Sequence, residues 1–176
     1  MKVQLSSVRL CGVTDDRWLT DDQLDAWLTF QAASTLLDAA LDRQLQRDAG
    51  LPHAYYLILA MLSDVPGRTL RMSDLAVMTQ SSQSRLSHAV SRLEGNGWVR
   101  RVPCPDDRRS TLARLTDAGF DVLAAAAPGH VATVRAHVFD RLTAEQVEQL
   151  RAIGRTILDG LDAPTVCPGQ VPRLAE

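Results

Sequence analysis

Apolar residues recur at three- and four-residue intervals through "TDDQLDAWLTFQAASTLLDAALDRQLQRDAG", at Leu24, Trp27, Leu28, Leu37, Leu41 and Leu45. That spacing gathers them on one face of a helix. Thr20 and Gln23 stand in capping-box spacing at its start, and Gly50 marks its end. The predicted element has about seven turns, beyond the usual three or four, so an apolar face of this length calls for a partner. After Pro52, "HAYYLILAMLS" is apolar enough for a buried second helix, and "DVPGR" stops it.

Two shorter helical patterns follow, "SDLAVMT" over about 72–79 and "SQSRLSHAVSRLEGNG" over about 82–96. Only "QSS" separates them, and such a tight junction is how a helix-turn-helix looks in sequence. "WVRRVP" and "STLARLT" carry β-branched or aromatic residues and read as two short strands. They flank the loop "PCPDDRRST", entered through Pro103 and Pro105. Thr116 offers an N-cap to "DAGFDVLAAAAPGHVATVRAHVFDRL", an alanine-rich helix that Pro128-Gly129 is expected to kink or divide. In "TAEQVEQLRAIGRTILDGL", Thr143 and Gln146 repeat the capping-box spacing ahead of a stripe of Val147, Leu150, Ile157, Leu158 and Leu161. The tail from 162 onward is expected to fray. The fold class is therefore mainly α with a small β-wing.

Composition sets the scale. A chain of 176 residues with 45% hydrophobic content buries one sizeable core, or a core plus an extended arm, and is too short for two large domains. It shows no leader-like apolar run at its start and no stretch near the roughly 18 apolar residues of a membrane span, so a cytoplasmic location without membrane contact is expected. Cys11, Cys104 and Cys167 are odd in number and widely spaced, which suits reduced thiols better than a zinc site or disulfides.

Charge changes the picture more. The net charge is −2, yet from Arg68 to Arg114 nine arginines face four acids, a local balance of +5, while the rest of the chain carries −7. A basic patch on an acidic body attracts phosphate backbones. Within the second short helix, Leu86, Ala89, Val90 and Leu93 fall in one arc and form the buried seam. Ser84, Ser87, His88, Ser91 and Arg92 lie opposite, with Arg85 near the edge. A helix meant only for water mixes Glu and Lys on its outer face. This one keeps that face slim, donor-rich and free of acids, as entry into a major groove about 12 Å wide requires. Ser81 or Ser82 caps its start, so the free N–H groups there face a phosphate.

The ordered set "LA" at 75–76, "RLEGNGWVRR" at 92–101, Asp107-x-Arg109 and "LTDAG" at 115–119 resembles the winged helix-turn-helix core of the MarR (multiple antibiotic resistance regulator) transcription factors. The flanking long helices extend the resemblance over about residues 20–161. It implies an N-terminal arm (1–19), a MarR-like domain (20–161) with a winged core over about 52–116 between dimerisation helices 20–50 and 117–161, and a tail (162–176). It also implies a homodimer that binds double-stranded DNA at a pseudo-palindromic operator, usually as a repressor. Candidate DNA contacts are Ser82, Gln83, Ser84, Arg85, Ser87, His88 and Arg92 on the helix, with Asp107, Arg108 and Arg109 on the loop. In the family the wing arginine, matched by Arg109, enters the minor groove, held by the acid matched by Asp107. Arg108 would meet a phosphate. Where many members carry an arginine in mid-helix, this chain has His88, which is shorter, so Arg85 is expected to take over base reading.

Family members respond to small aromatic or phenolic acids or to oxidants. Trp18, Trp27, His53, Tyr55, Tyr56 and Arg68 are the candidates for a ligand cleft, and Cys104, near Arg100, Arg101, Arg108 and Arg109 in sequence, is the candidate for a redox-sensing alternative. A winged-helix module that binds protein and not DNA is the competing reading. No cofactor, metal or catalytic residue is expected: the four histidines form no metal signature, and there is no glycine-rich phosphate loop or nucleophile elbow.

Overall fold

The computed structural model describes residues 18–105, 107 and 110–161. The elements run α1 (Asp21–Ala49), α2 (His53–Ser63), β1 (Thr69–Arg71), α3 (Met72–Met78), α4 (Gln83–Gly95), β2 (Val99–Pro103), β3 (Thr111–Leu115), α5 (Asp117–His137) and α6 (Ala144–Asp159). Short 3-10 turns precede β1 and α6. The chain divides after Leu36 into two units, and α1 runs across the division.

Up to Leu36, α1 opens on its capping box: the Gln23 N–H donates to Thr20 Oγ1 at 3.2 Å and the Thr20 N–H to Gln23 Oε1 at 2.9 Å. Trp18, Leu24, Trp27, Leu28 and Phe30 of this stretch are exposed. The Trp27 and Phe30 rings lie 6.3 Å apart, centroid to centroid.

From Leu37 onward a single core forms. Leu45 of α1, Leu51, Ile58, Leu59 and Leu62 at α2, Leu75 of α3, Leu86, Val90 and Leu93 of α4, Val99, Ala113 and Leu115 of the strands and Leu123 of α5 are buried together. Each such Leu, Ile or Val side chain contributes roughly 1.5–3 kcal/mol on leaving water, which is what holds the small helices against the sheet. Pro52 at the start of α2 has no side chain to cap with; Asp42 of α1 instead accepts the His53 N–H at 2.9 Å.

The turn between α3 and α4 is tight because three groups close it. Thr79 Oγ1 donates to the Leu75 carbonyl at 2.8 Å, Gln80 adopts φ +50°, and the Ser81 N–H reaches the Ala76 carbonyl at 2.9 Å. Ser82, one of the two expected caps, then accepts the Arg85 N–H at 3.3 Å.

The sheet has the antiparallel order β1-β3-β2, with Leu70 and Arg101 on either side of Ala113 and Val99 opposite Leu115. β1 adds a third strand to the two expected. Three residues are too few to show a period of two, and β1 exists because the left-handed pair Gly67 (φ +66°) and Arg68 (φ +51°) turns the chain back onto β3.

The root of the β2–β3 hairpin meets the start of α5 at close range. Thr116 Oγ1 accepts the Gly119 N–H at 3.0 Å and approaches the Gly97 and Trp98 carbonyls at 2.7 and 3.0 Å. Gly119 is buried against the Trp98 backbone, where a Cβ would lie 2.1 Å from the Trp98 carbonyl oxygen. This is the physical content of "LTDAG".

Of the two outcomes expected at Pro128-Gly129, a kink or a division, the second does not occur: α5 runs as a single helix through Pro128. Proline lacks an N–H, so one intrahelical bond to the Ala124 carbonyl is lost. Leu123, Ala126 and Ala127 are buried on the same element and keep it seated. Gly129 leaves room for Gln44 of α1, whose Nε2 would stand 2.9 Å from a Cβ there. The capping box of α6 is present, Gln146 N–H to Thr143 Oγ1 at 3.2 Å and Thr143 N–H to Gln146 Oε1 at 2.9 Å. Its stripe residues Leu150, Ile157 and Leu161 are exposed, as is Ile153. Among the described residues no helix is long and apolar enough to cross a membrane.

Candidate nucleic-acid interface

The outward face of α4 is built by subtraction. Leu86, Val90 and Leu93 are consumed by the core and Ala89 is half-buried, which leaves Ser82, Gln83, Ser84, Arg85, Ser87, His88, Ser91 and Arg92 exposed. No acid lies among them. The side chains of Arg85 and Arg92 make no hydrogen bond or ion pair among the described residues, and neither does that of Arg100, exposed on β2. Arg85 and Arg92 are the uncommitted arginines of this face, and Arg100 stands on the other face of β2.

Beside α4, the β1–α3 junction and the hairpin enclose a cleft of about 550 Å³. It is lined by Arg71, Met72 and Ser73, by Gln83, Ser84 and Ser87, and by Arg101, Ser110 and Thr111. Hydroxyls dominate this lining, and its two guanidinium groups are each paired with a carboxylate, Arg71 with Asp107 and Arg101 with Glu94; such hydroxyl donors suit phosphate oxygens.

Sequence reasoning missed the two arginines of this cleft as site residues. Arg71 donates to Ser110 Oγ at 3.3 Å and stands 3.9 Å from Asp107 Oδ2. Asp107 also accepts from Ser110 Oγ at 2.6 Å. The acid expected to brace the wing arginine is thus also tied to Ser110 and to Arg71, linking the loop to β1. Arg108 and Arg109 lie outside the described residues. Arg101 shares with Val99 the sheet face turned to α4 and forms an ion pair with Glu94, both side chains more than two-thirds buried. The signal available was the alternation of β2, which sets Arg100 and Arg101 on opposite faces.

The candidates for a ligand cleft that lie from Leu37 onward separate into several places. His53 and Tyr56 converge with a residue that sequence reasoning passed over, His130 of α5: ring centroids are 5.6 Å and 4.3 Å from it. His53 Nδ1 pairs with Asp38 at 2.8 Å. Burial, helped by the neighbouring His53, lowers the His130 pKa to about 4, and burial raises that of Tyr56. Among the described residues, His130 Nδ1 and Gln44 Oε1 are buried without a hydrogen-bond partner. Tyr55 packs against the core. Arg68 is committed elsewhere, 3.9 Å over the Phe120 ring and 3.2 Å from Asp117. Trp18 and Trp27 lie in the unit before Leu37, both exposed.

Cys104 is buried at 5% exposure, with its N–H bonded to the Ser110 carbonyl. A sensing thiol needs access to its oxidant, so burial weighs against the redox alternative. Cys11 and Cys167 lie outside the described residues.

Comparison with known proteins places this geometry. The family model described as the MarR family matches residues 49–110. The solved structure of Sco3205, a MarR family transcriptional regulator from Streptomyces coelicolor in complex with DNA, is 53% identical with a TM-score of 0.80, over 85% of this chain and 94% of that one. AbsC, a MarR family transcriptional regulator of the same organism, is 42% identical with a TM-score of 0.78, over 82% of this chain and 97% of its own. The regulator PecS of Dickeya dadantii is 27% identical over 125 residues, 71% of this chain and 75% of PecS.

Proposed function

The chain belongs to the MarR family of winged helix-turn-helix transcriptional regulators, and from that membership we propose that it acts in the cytoplasm as a homodimeric repressor at a pseudo-palindromic operator. The observation that carries the reading is the outer face of α4: exposed hydroxyl, amide and cationic side chains, with no acid, beside a cleft lined by hydroxyls. In this reading Gln83, Ser84, Arg85, Ser87 and His88 enter the major groove, Ser82 and Arg92 meet backbone, and Arg108 and Arg109 extend the contact to phosphate and minor groove. The winged core of about 52–116 reads DNA, and the helices on either side join two copies. Support for the second copy comes from apolar side chains that the single chain leaves exposed on α1 (Leu24, Trp27, Leu28) and on α6 (Leu150, Ile153, Ile157).

The effector in this proposal is a small aromatic or phenolic acid taken up at His53, Tyr56 and His130, where two aromatic faces and unpartnered buried polar atoms adjoin. It acts by binding the DNA-incompetent dimer more tightly than the competent one. The test is duplex selection from a random library, followed by affinity measurements across salt. Three to five phosphates neutralised per lobe give a fall on the order of 10³ to 10⁵ between 50 and 200 mM salt. A flat salt response, or no enriched duplex, overturns the proposal.

A further inference from the structure

We propose that Glu94 and Arg101 are positioning residues for DNA recognition: Glu94 holds the Arg101 guanidinium away from the nucleic acid, and Arg101 fixes Ser87 as an outward-facing hydrogen-bond donor. The inference rests on the DNA-binding reading above and deepens it.

The geometry is a closed network between α4 and β2. Glu94 accepts the Arg101 backbone N–H at 2.7 Å through one carboxylate oxygen and the guanidinium through the other. The remaining guanidinium N–H groups cross to the middle of α4, reaching the Ser87 carbonyl at 2.8 Å, Ser87 Oγ at 3.3 Å and Ser91 Oγ at 3.2 Å. An arginine can serve four acceptors at once because its N–H groups form a rigid fork. Ser91 Oγ in turn donates to the Ser87 carbonyl at 3.0 Å.

This wiring distinguishes two serines that look alike in sequence. The Ser91 hydroxyl proton is used within the helix. Ser87 accepts from Arg101 through its oxygen, and its O–H remains to be given outward. Ser87 also lines the cleft beside α4, so its donor meets an acceptor on DNA, either a phosphate oxygen or an acceptor edge in the major groove. The charge of Arg101, although it too lines the cleft, is balanced by Glu94 at hydrogen-bond range. Arg101 therefore adds little to the count of phosphates neutralised. Glu94 lowers sequence-independent attraction and keeps the helix and the strand of the wing in one arrangement.

The salt slope separates this from a direct contact. A cation that neutralises one phosphate contributes about 0.9 to the slope of log affinity against log salt, and two lobes contribute about 1.8. Wild type, Arg101→Gln, Arg101→Lys and Glu94→Gln are compared on a duplex enriched by the wild-type protein and on an unrelated duplex of equal length. Folding of each is checked by circular dichroism. Arg101→Gln is expected to weaken the enriched duplex tenfold or more with the slope unchanged. Arg101→Lys, which keeps the charge but not the fork, behaves the same way. Glu94→Gln is expected to tighten the unrelated duplex and steepen its slope by about 1.8, narrowing the ratio between the two duplexes. A slope that falls by about 1.8 in Arg101→Gln and is restored in Arg101→Lys makes Arg101 a phosphate contact and overturns the proposal. So does a Glu94→Gln chain with wild-type slopes. If the wild type itself shows no salt-dependent binding, the DNA-binding reading fails and the inference fails with it.

Discussion

Replacing Gly119 by alanine adds one methyl group at the tightest approach in the chain. Its Cβ would lie 2.1 Å from the Trp98 carbonyl oxygen, 2.8 Å from Leu115 Cδ1 and 2.9 Å from the Trp98 carbonyl carbon. An ordinary carbon–oxygen contact is about 3.3 Å, so the Trp98 backbone must retreat by about 1 Å or α5 must lift. Overpacking of this kind costs about 1–3 kcal/mol. Retreat also loosens the Thr116 N–H bond to the Trp98 carbonyl, 3.0 Å long, worth about 0.5–1.5 kcal/mol. Alanine returns up to about 1 kcal/mol through helix propensity. The net expectation is a destabilisation of about 2 kcal/mol, within a range of about 0.5–3.5, which for a chain of this size lowers Tm by about 4–8 °C at the central value. Gly95→Ala is the matched control, because nothing lies within 4 Å of its Cβ and it sits in the last turn of α4. There the same change is expected to stabilise by about 0.5–1 kcal/mol. Urea denaturation of both variants at one fixed protein concentration decides the matter, since association would otherwise shift the midpoint. A Gly119→Ala chain as stable as wild type, or stabilised like the control, would refute the reasoning.

Three further expectations follow from other parts of the chain. His130 is held neutral, with a pKa of about 4 set first by burial. The unfolded chain therefore binds more protons between about pH 6.5 and 4, and stability falls as pH drops through that window, by about 1–2 kcal/mol once solvent screening of this half-buried ring is discounted. Urea midpoints at pH 7 and 4.5 for wild type and His130→Gln test it, and equal pH dependence in the two would assign the effect elsewhere. Ile153→Asp places a charge on the exposed apolar face of α6; sedimentation should show a shift toward single chains and operator affinity should fall at least tenfold, whereas an unchanged sedimentation profile removes α6 from the association. Arg109→Ala, argued from sequence, should weaken the enriched duplex by about 1–3 kcal/mol while sedimentation stays as in wild type, and full retention of affinity would take the wing arginine out of recognition.

The sequence made legible what repeats or caps. Thr20, Ser82, Thr116 and Thr143 announce their helices through a hydroxyl at a fixed offset from an N–H, and the α4 seam follows from the spacing of Leu86, Val90 and Leu93. β1 was not legible, because three residues carry no period and its partner lies more than forty positions away. Nor was the Glu94–Arg101 pair, which joins a helix to a strand by a contact that no spacing rule anticipates. His130 escaped notice as a lone histidine in an alanine-rich segment; only the fold brings His53 and Tyr56 against it. Arg68 reads as a polar group for a pocket, yet its left-handed backbone directs it to Phe120 and Asp117.

Pro128 gives α5 a preferred point of bending. Eleven residues separate it from Asp117 at the start of the helix, a lever of about 17 Å at 1.5 Å per residue. A rotation of about 10° at the missing hydrogen bond swings the far end by about 3 Å, a large fraction of one base-pair step. Under the effector proposal above, a ligand seated near His130, two residues past the proline, would act on α5 beside this point, and the same helix starts at the root of the hairpin.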